Sequence, residues 1–304
     1  MSLRPYVSCL LSLVPGSLRP LSLCPLSLRP YVPILFLLLI APSARAQQKP
    51  LPDLHQLMTE VDEHQKQVDK IQENYTWTSE TTTEILDKNN RVKSSQSQQS
   101  EVFFVNGVEL DRKVKKDGKP LSEHEQQKEN ERVAKEAEKA ARPEEAKKQK
   151  EDDLSLSEIF SLVEAQQPHR EIFRGRSTIV CSFTGKKDAK SHGKEENIFK
   201  KLSGTVWVDE EDRQIVRLEA VFSDSLHIGL GLLGNIEPGS RLSFDQEKIN
   251  QEIWLPTAMD GDLNVRLLFV HAHIHLINHE SGYQRFHVES QQNKDVKVVP
   301  EKKH

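Results

Sequence analysis

Apolar positions along the chain change period several times, and each change marks an element. Leu54, Leu57, Met58, Val61, Val68 and Ile71 recur at three- and four-residue spacing, which predicts one amphipathic helix over residues 52–72. Asp53 sits in its first turn, where a negative charge suits the helix dipole. From Asn74 the period shortens. Tyr75 to Ile85 is rich in β-branched and aromatic residues and reads as a strand, Val92–Ser97 as a polar strand, and Glu101–Val105 as another. Asn106-Gly107 lies between two apolar runs and predicts a tight hairpin, because both turn positions need positive φ. Asp117-Gly118 predicts a second turn, ahead of Pro120.

Residues 121–153 break the pattern. They are dominated by Glu, Lys, Gln and Ala, are charged on every face and are interrupted by Pro143. With no stripe to bury, this insertion is expected as a solvated helix or a disordered excursion. Helical spacing returns over Leu154–Ala165. The rest reads as strands: Ser177–Phe183, Gly204–Asp209, Gln214–Phe222, Arg241–Ile249, Gln251–Leu255, Leu263–Ile277 and Tyr283–Val288. Many strands joined by tight turns, with few helices between them, predict a mainly β (α+β) fold built on an antiparallel sheet. One face of that sheet is apolar. It has to curl, close, or take the helices at 52–72 and 154–165 as a lid.

The first 46 residues stand apart. They carry Arg4, Arg19, Arg29 and Arg45, no acid, the apolar run Ile34–Ala41, and a terminal Ala44-Arg45-Ala46. That is the layout of a cleavable signal peptide, and the run is too short to span a bilayer. Its Ser-Leu-Arg-Pro-Tyr-Val phrase occurs at 2–7 and again at 27–32, a repeat with no core to build. A single domain is expected over 47–300, in the periplasm or outside the cell, with no transmembrane segment. The chain has 42 basic and 46 acidic residues; without the four leader arginines the remainder is more acidic still, which argues against a nucleic-acid partner. Cys181 would be the only thiol left, so no internal disulfide forms.

Several patterns invite chemistry. Gly229-Leu-Gly-Leu-Leu-Gly234 fits G-x-G-x-x-G, but Pro238 and Gly239 forbid the helix a dinucleotide site needs, so an apolar loop is expected and no cofactor. His271, His273 and His275 alternate on one strand face, a weak candidate for a transition metal; without nearby Cys or acidic ligands in the sequence, a polar strand face is the plainer reading. No G-x-S-x-G elbow occurs, the carboxylates at 209–212 read as a hairpin tip, and Cys181 reads as a buried small hydrophobe, so no enzymatic activity is expected. The alternating residues Val216, Leu218, Ala220, Phe222, Val265, Leu267 and Phe269 are the candidate lining of an apolar cavity.

Taken with the leader and the first helix, certain phrases carry a resemblance. They are Tyr75-Thr-Trp-Thr78, Glu101-Val-Phe-Phe-Val-Asn-Gly107, Asp117-Gly-Lys-Pro-Leu-Ser122, Phe173-Arg-Gly-Arg176, Gly204-Thr-Val-Trp-Val-Asp209 and Arg217-Leu-Glu219. Over residues 52–290 the chain resembles bacterial exported proteins related to the outer-membrane lipoprotein-sorting carriers (LolA/LolB-like). The resemblance implies an unclosed β-barrel plugged by helices, an apolar interior for the acyl group of a lipid or lipoprotein, and no catalysis. Two other functions stay open: an envelope protein-interaction module of the same fold without cargo, and a metal-binding envelope protein using the His271 strand.

Overall fold

The structure, a computed structural model, describes residues 50–152, 155–190, 196–228, 234–267, 270–287 and 299–300. The leader at 1–46, the loop 229–233 and Phe269 fall outside the described residues. Lys49–His304 forms one unit.

Helix α1 (Leu54–Gln72) begins where Asp53, as N-cap, accepts from the Gln56 amide at 3.0 Å. Strands β1 (Tyr75–Leu86), β2 (Val92–Val105) and β3 (Val108–Lys116) form a meander, and Asn106 and Gly107 turn the second hairpin at φ of 52° and 75°. Two-residue β4 (Lys119–Pro120) leads to α2 (Glu123–Ala140) and α3 (Pro143–Asp152). Short α4 (Leu156–Leu162) opens with a Ser155/Glu158 capping box and runs into β5 (Val163–Phe173) and β6 (Arg176–Gly185). After one-turn α5 (Glu196–Phe199) come β7 (Leu202–Asp209) and β8 (Ile215–Phe222), then the small pair β9 (Leu226–Ile228) and β10 (Gly234–Ile236). Strands β11 (Arg241–Ile249), β12 (Ile253–Leu267), β13 (Val270–His287) and β14 (Val299–Pro300) complete the order.

Eleven strands run through one antiparallel sheet in the order β4-β3-β2-β1-β13-β12-β11-β8-β7-β6-β5; off this path β10 pairs with β12 and β9, and β14 with β13. Its ends do not meet, so the expected unclosed, mainly β architecture is what the chain forms. Helix α1 lies on one face. Its Leu57 and Val61, fully buried, pack against Ile179, Cys181, Val206 and Phe222. Its last turns bring Val68 onto Tyr75, Trp77, Ile253 and Leu255. Polar tethers fix the helix along its length. Fully buried Gln214 donates to Gln65, and Arg213 pairs with Glu60. Asp62, 8% exposed, accepts the Ser157 amide at 3.0 Å, which pins the start of α4 to α1.

The charged insertion differs from expectation. It is helical and does bury a side: Ala140 and Ala146 pack on Val108 and Leu110. Helix α2 also runs beside β3, which β4 pairs only at Lys115 and Lys116. There Glu129 accepts the Lys113 amide at 2.8 Å, and Arg132 donates to the Asp111 carbonyl at 2.6 Å. An edge strand leaves backbone groups unpaired, and charged side chains here occupy two of them. The sequence pattern hides this because the partners are charged rather than apolar.

Other boundaries also moved. The helix expected over Leu154–Ala165 stops at Leu162, and β5, which the sequence did not announce, begins at Val163. That strand is a polar sheet edge broken by a bulge at Gln166/His169 beside Pro168, so it lacks alternation. Val92–Ser97 and Glu101–Val105 are one strand. Gln251–Leu255 and Leu263–Ile277 divide differently: β12 runs to Leu267 and β13 starts at Val270, so an apolar run straddles a hairpin. Asp209, read with 210–212 as a hairpin tip rather than a cleft, is fully buried; it accepts two contacts from Arg176 and the amides of Glu211 and Asp212.

Candidate functional site

An apolar cavity of about 320 Å³ lies between the helices and the β5–β8 end of the sheet. Leu54 and Met58 of α1 form one wall, and Leu156, Ile159 and Phe160 of α4 another. Val163, Phe183, Val206, Ile215 and Leu218 form the floor. Both helices are present because their stripes need an apolar partner. They do not meet the floor completely: Leu54, Met58, Ile159, Phe160 and Leu218 are all half-buried. His55, Glu164 and Lys186 are the polar residues of the lining. Lys186 donates to the Ser161 carbonyl at 3.0 Å, which ties β6 to the end of α4. A second hollow of about 410 Å³ shares Leu156, Ile215 and Leu218 with the first and continues past Phe244 toward Asp62 and Lys66.

The candidate lining residues are distributed unevenly. Leu218 lies on the floor of both hollows. Ala220 and Phe222 belong to the packed cluster under α1, and Val265 is buried. Val216 lines another depression, with Phe173, Arg176 and Trp254. The cause is a register shift between Trp207 and Val208, where β7 pairs with Arg217 and then with Ile215, skipping Val216. Leu267 ends β12, but its side chain is not among those described, and Phe269 lies outside the described residues. Sequence reasoning missed Ile215, Phe183 and Val206 as floor residues. It did assign Leu54, Met58, Ile159 and Phe160 to a lid, since their spacing was helical.

The cross-strand register relates this cavity to the rest of the face. Leu218 pairs with Phe244, Phe244 with Met259, Met259 with Asn278, Asn278 with Thr81, and Thr81 with Gln98. Along this one row the face changes from apolar to polar, and Met259 in its middle is 38% exposed.

The histidines lie on the opposite face. His275 sits between Asp260 at 2.8 Å and Glu84 at 3.6 Å, His273 bonds to Asp262, and His271 faces Glu237 at 3.6 Å. Acidic partners absent from the local sequence thus arrive from β1, β12 and the segment after β10. Each imidazole has its own carboxylate, and among the described residues no group of three His, Cys, Asp or Glu side chains converges on a metal position. Burial disfavours charge on His275, yet the hydrogen bond and charge of Asp260, with Glu84, raise its pKa above the ordinary value. Cys181 is fully buried, and burial pushes its thiol up to about 11, so it is held as a thiol rather than a nucleophile. No helix among the described residues is long and apolar enough to cross a membrane.

No protein-family model and no curated relative matches the chain. Solved structures do resemble it. A putative outer-membrane lipoprotein-sorting protein domain from Vibrio parahaemolyticus is 9% identical, with a TM-score of 0.34, over 77% of this chain and 93% of that one. A DUF1329 family protein from Desulfovibrio piger is 15% identical, with a TM-score of 0.33, over 77% and 94%. A LolA superfamily protein from Nitrosomonas europaea is 10% identical, with a TM-score of 0.27, over 77% and 93%. The likeness expected from the sequence phrases is found. At these scores it carries no cargo, partner or compartment across to this chain.

Proposed function

We propose that this protein is an exported, non-enzymatic carrier or sensor that holds the acyl chain of a lipid or lipoprotein between α1, α4 and the sheet. The observation that carries this reading is the cavity at Leu218, whose size lies at the lower end of small-ligand pockets, roughly 300–1,000 Å³, and whose walls are almost wholly apolar. Each methylene moved from water into such a space is stabilised by about 0.8 kcal/mol. No bond needs to be made or broken. The half-buried lid residues offer an entry that does not require the core under Leu57 and Val61 to open.

The leader supports export, and the domain from residue 47 onward is the mature carrier. The test is native mass spectrometry of residues 47–304 purified from a bacterial periplasm. Extra mass that extracts as lipid supports the carrier. A bare chain that also takes up no fluorescent fatty probe overturns it and leaves the envelope interaction module as the better reading.

A further inference from the structure

The face carrying α1 has a hollow larger than the apolar cavity. A groove of about 590 Å³ lies at the other end of the sheet, between strands β1–β3 and the first half of α2. Its floor is made of hydrogen-bonding side chains, Thr81, Thr83, Gln96 and Gln98. Alternation from Trp77, which packs beneath α1, puts Thr81 and Thr83 on α1's face. Lys113, Lys115 and Lys116 come from β3, and Lys128 from α2.

The charges in this groove do not balance. Its two acids are already used: Glu129 pairs with Arg132 at 2.6 Å and takes the Lys113 amide, and Glu125 closes the α2 capping box with Ser122. Arg132 is shared among Glu129, Glu136 and Asp111. None of the four lysines comes within salt-bridge distance of a carboxylate among the described residues, although the charges of Lys113 and Lys116 help hold Glu129 and Glu125 ionised, in a chain whose net charge is −4. The walls are fixed, because the bonds from Glu129 and Arg132 to the β3 backbone hold α2 in place, and Asn106 donates to the Ala140 carbonyl at the helix end.

We propose that this groove binds a phosphate-bearing, hydroxyl-rich group. Ammonium groups neutralise the phosphate, while the Thr and Gln side chains donate to and accept from the hydroxyls. The insertion is then one wall of a binding site as well as cover for a sheet edge. The group has two sources, a lipid headgroup or a free sugar phosphate. The headgroup source is geometrically open. Thr81 stands four ladder steps from Leu218 along one row, about 19 Å at ~4.8 Å per strand.

The experiment titrates the mature chain with three soluble probes: dihexanoyl phosphatidylglycerol, glucose 1-phosphate, and zwitterionic dihexanoyl phosphatidylcholine. Each is measured by calorimetry at about 0.01 M and about 0.15 M salt, where the Debye length falls from ~30 to ~8 Å. The expected result is binding of one or both anionic probes in preference to phosphatidylcholine, weaker in the higher salt. The triple variant Lys115→Glu, Lys116→Glu, Lys128→Glu should lose at least tenfold in affinity, while the control pair Lys187→Glu, Lys190→Glu keeps it.

Binding of both anions assigns the site to the phosphate itself. Binding of the lipid alone assigns it to a headgroup, and of the sugar phosphate alone to a soluble ligand. No anion binding at low salt, an unaffected triple variant, or an equal loss in the control pair overturns the proposal. If the charge reversal unfolds α2, Lys115→Gln, Lys116→Gln replaces it under the same criteria. Uptake of decanol, which has no charge, should be the same in all variants, so failure of this site and failure of the acyl cavity are read separately.

Discussion

Leu218 is the position at which the carrier reading is most exposed to test, because it floors both hollows and is only half-buried. Straight-chain alcohols from octanol to dodecanol, competing with a fluorescent fatty probe, should bind with a steady gain of about 0.8 kcal/mol per methylene, roughly fourfold. The gain should stop once the cavity of about 320 Å³ is full. Leu218→Asp removes part of an apolar wall, about 1 kcal/mol for a half-buried leucine. It also sets a carboxylate against the chain, which adds about 1–3 kcal/mol for a polar group left without a partner. Together this is a loss of about 2–4 kcal/mol, roughly 30-fold or more. Val221→Asp is the control, since Val221 is 37% exposed and three residues along the same strand points to the other face. A flat dependence on chain length, or equal losses in the two Asp variants, would refute the reasoning.

Three further outcomes follow from local geometry. In Gly204→Ala the new Cβ would lie 1.9 Å from the Glu219 carbonyl oxygen, so the β7–β8 pair must move apart; urea unfolding should show a loss of about 1–3 kcal/mol or more. The side-chain hydrogen bond from Arg132 outweighs burial and holds the Glu129 carboxyl below its ordinary pKa. A depressed folded pKa gives stability that is complete above the unfolded value, about 4.3, and is lost as pH falls through the folded one. The protection of the Lys113 amide, its exchange slowed relative to an unstructured amide at the same pH, should therefore fall in acid, and should already be low at neutral pH in Glu129→Gln. For His275 the sign reverses: its raised pKa gives stability that is complete below about 6.5 and is lost as pH rises through the folded value. NMR titration of the imidazole should place its midpoint above ~6.5, and Asp260→Asn should lower it.

The parts of the fold legible in the sequence were those where one residue's neighbours decide its state. The Asn106-Gly107 turn, the α1 stripe and the alternation of β8 from Leu218 to Phe222 are local signals, and each formed as read. What stayed hidden depended on residues far away in the chain. Edge strand β5 covers Val163 and Ala165 before its bulge but Arg170 after it, so no apolar period runs along it. Helix α2 docks through Glu129 and Arg132 onto backbone groups that no sequence pattern displays. The carboxylates beside the histidines come from other strands. For the cavity, lid residues were visible because helices impose their spacing. The floor was half visible, because a single bulge at Val216 reverses the face that alternation predicts.

One consequence of the strand order concerns how the protein is made. Strand β1 lies in the middle of the sheet, yet one of its neighbours is β13, so Tyr75 waits for Arg285. A chain made N-terminus first can form β1, β2, β3 and the helix that guards β3. The other side of β1 stays open until nearly all the described chain has followed. Pairings this distant in sequence are slow to close, and open strands invite association with other chains. A product cut short before β13 would therefore carry a capped edge on one side and a bare one on the other. Such a fragment is a natural substrate for the proteases and chaperones that patrol incomplete β-sheets.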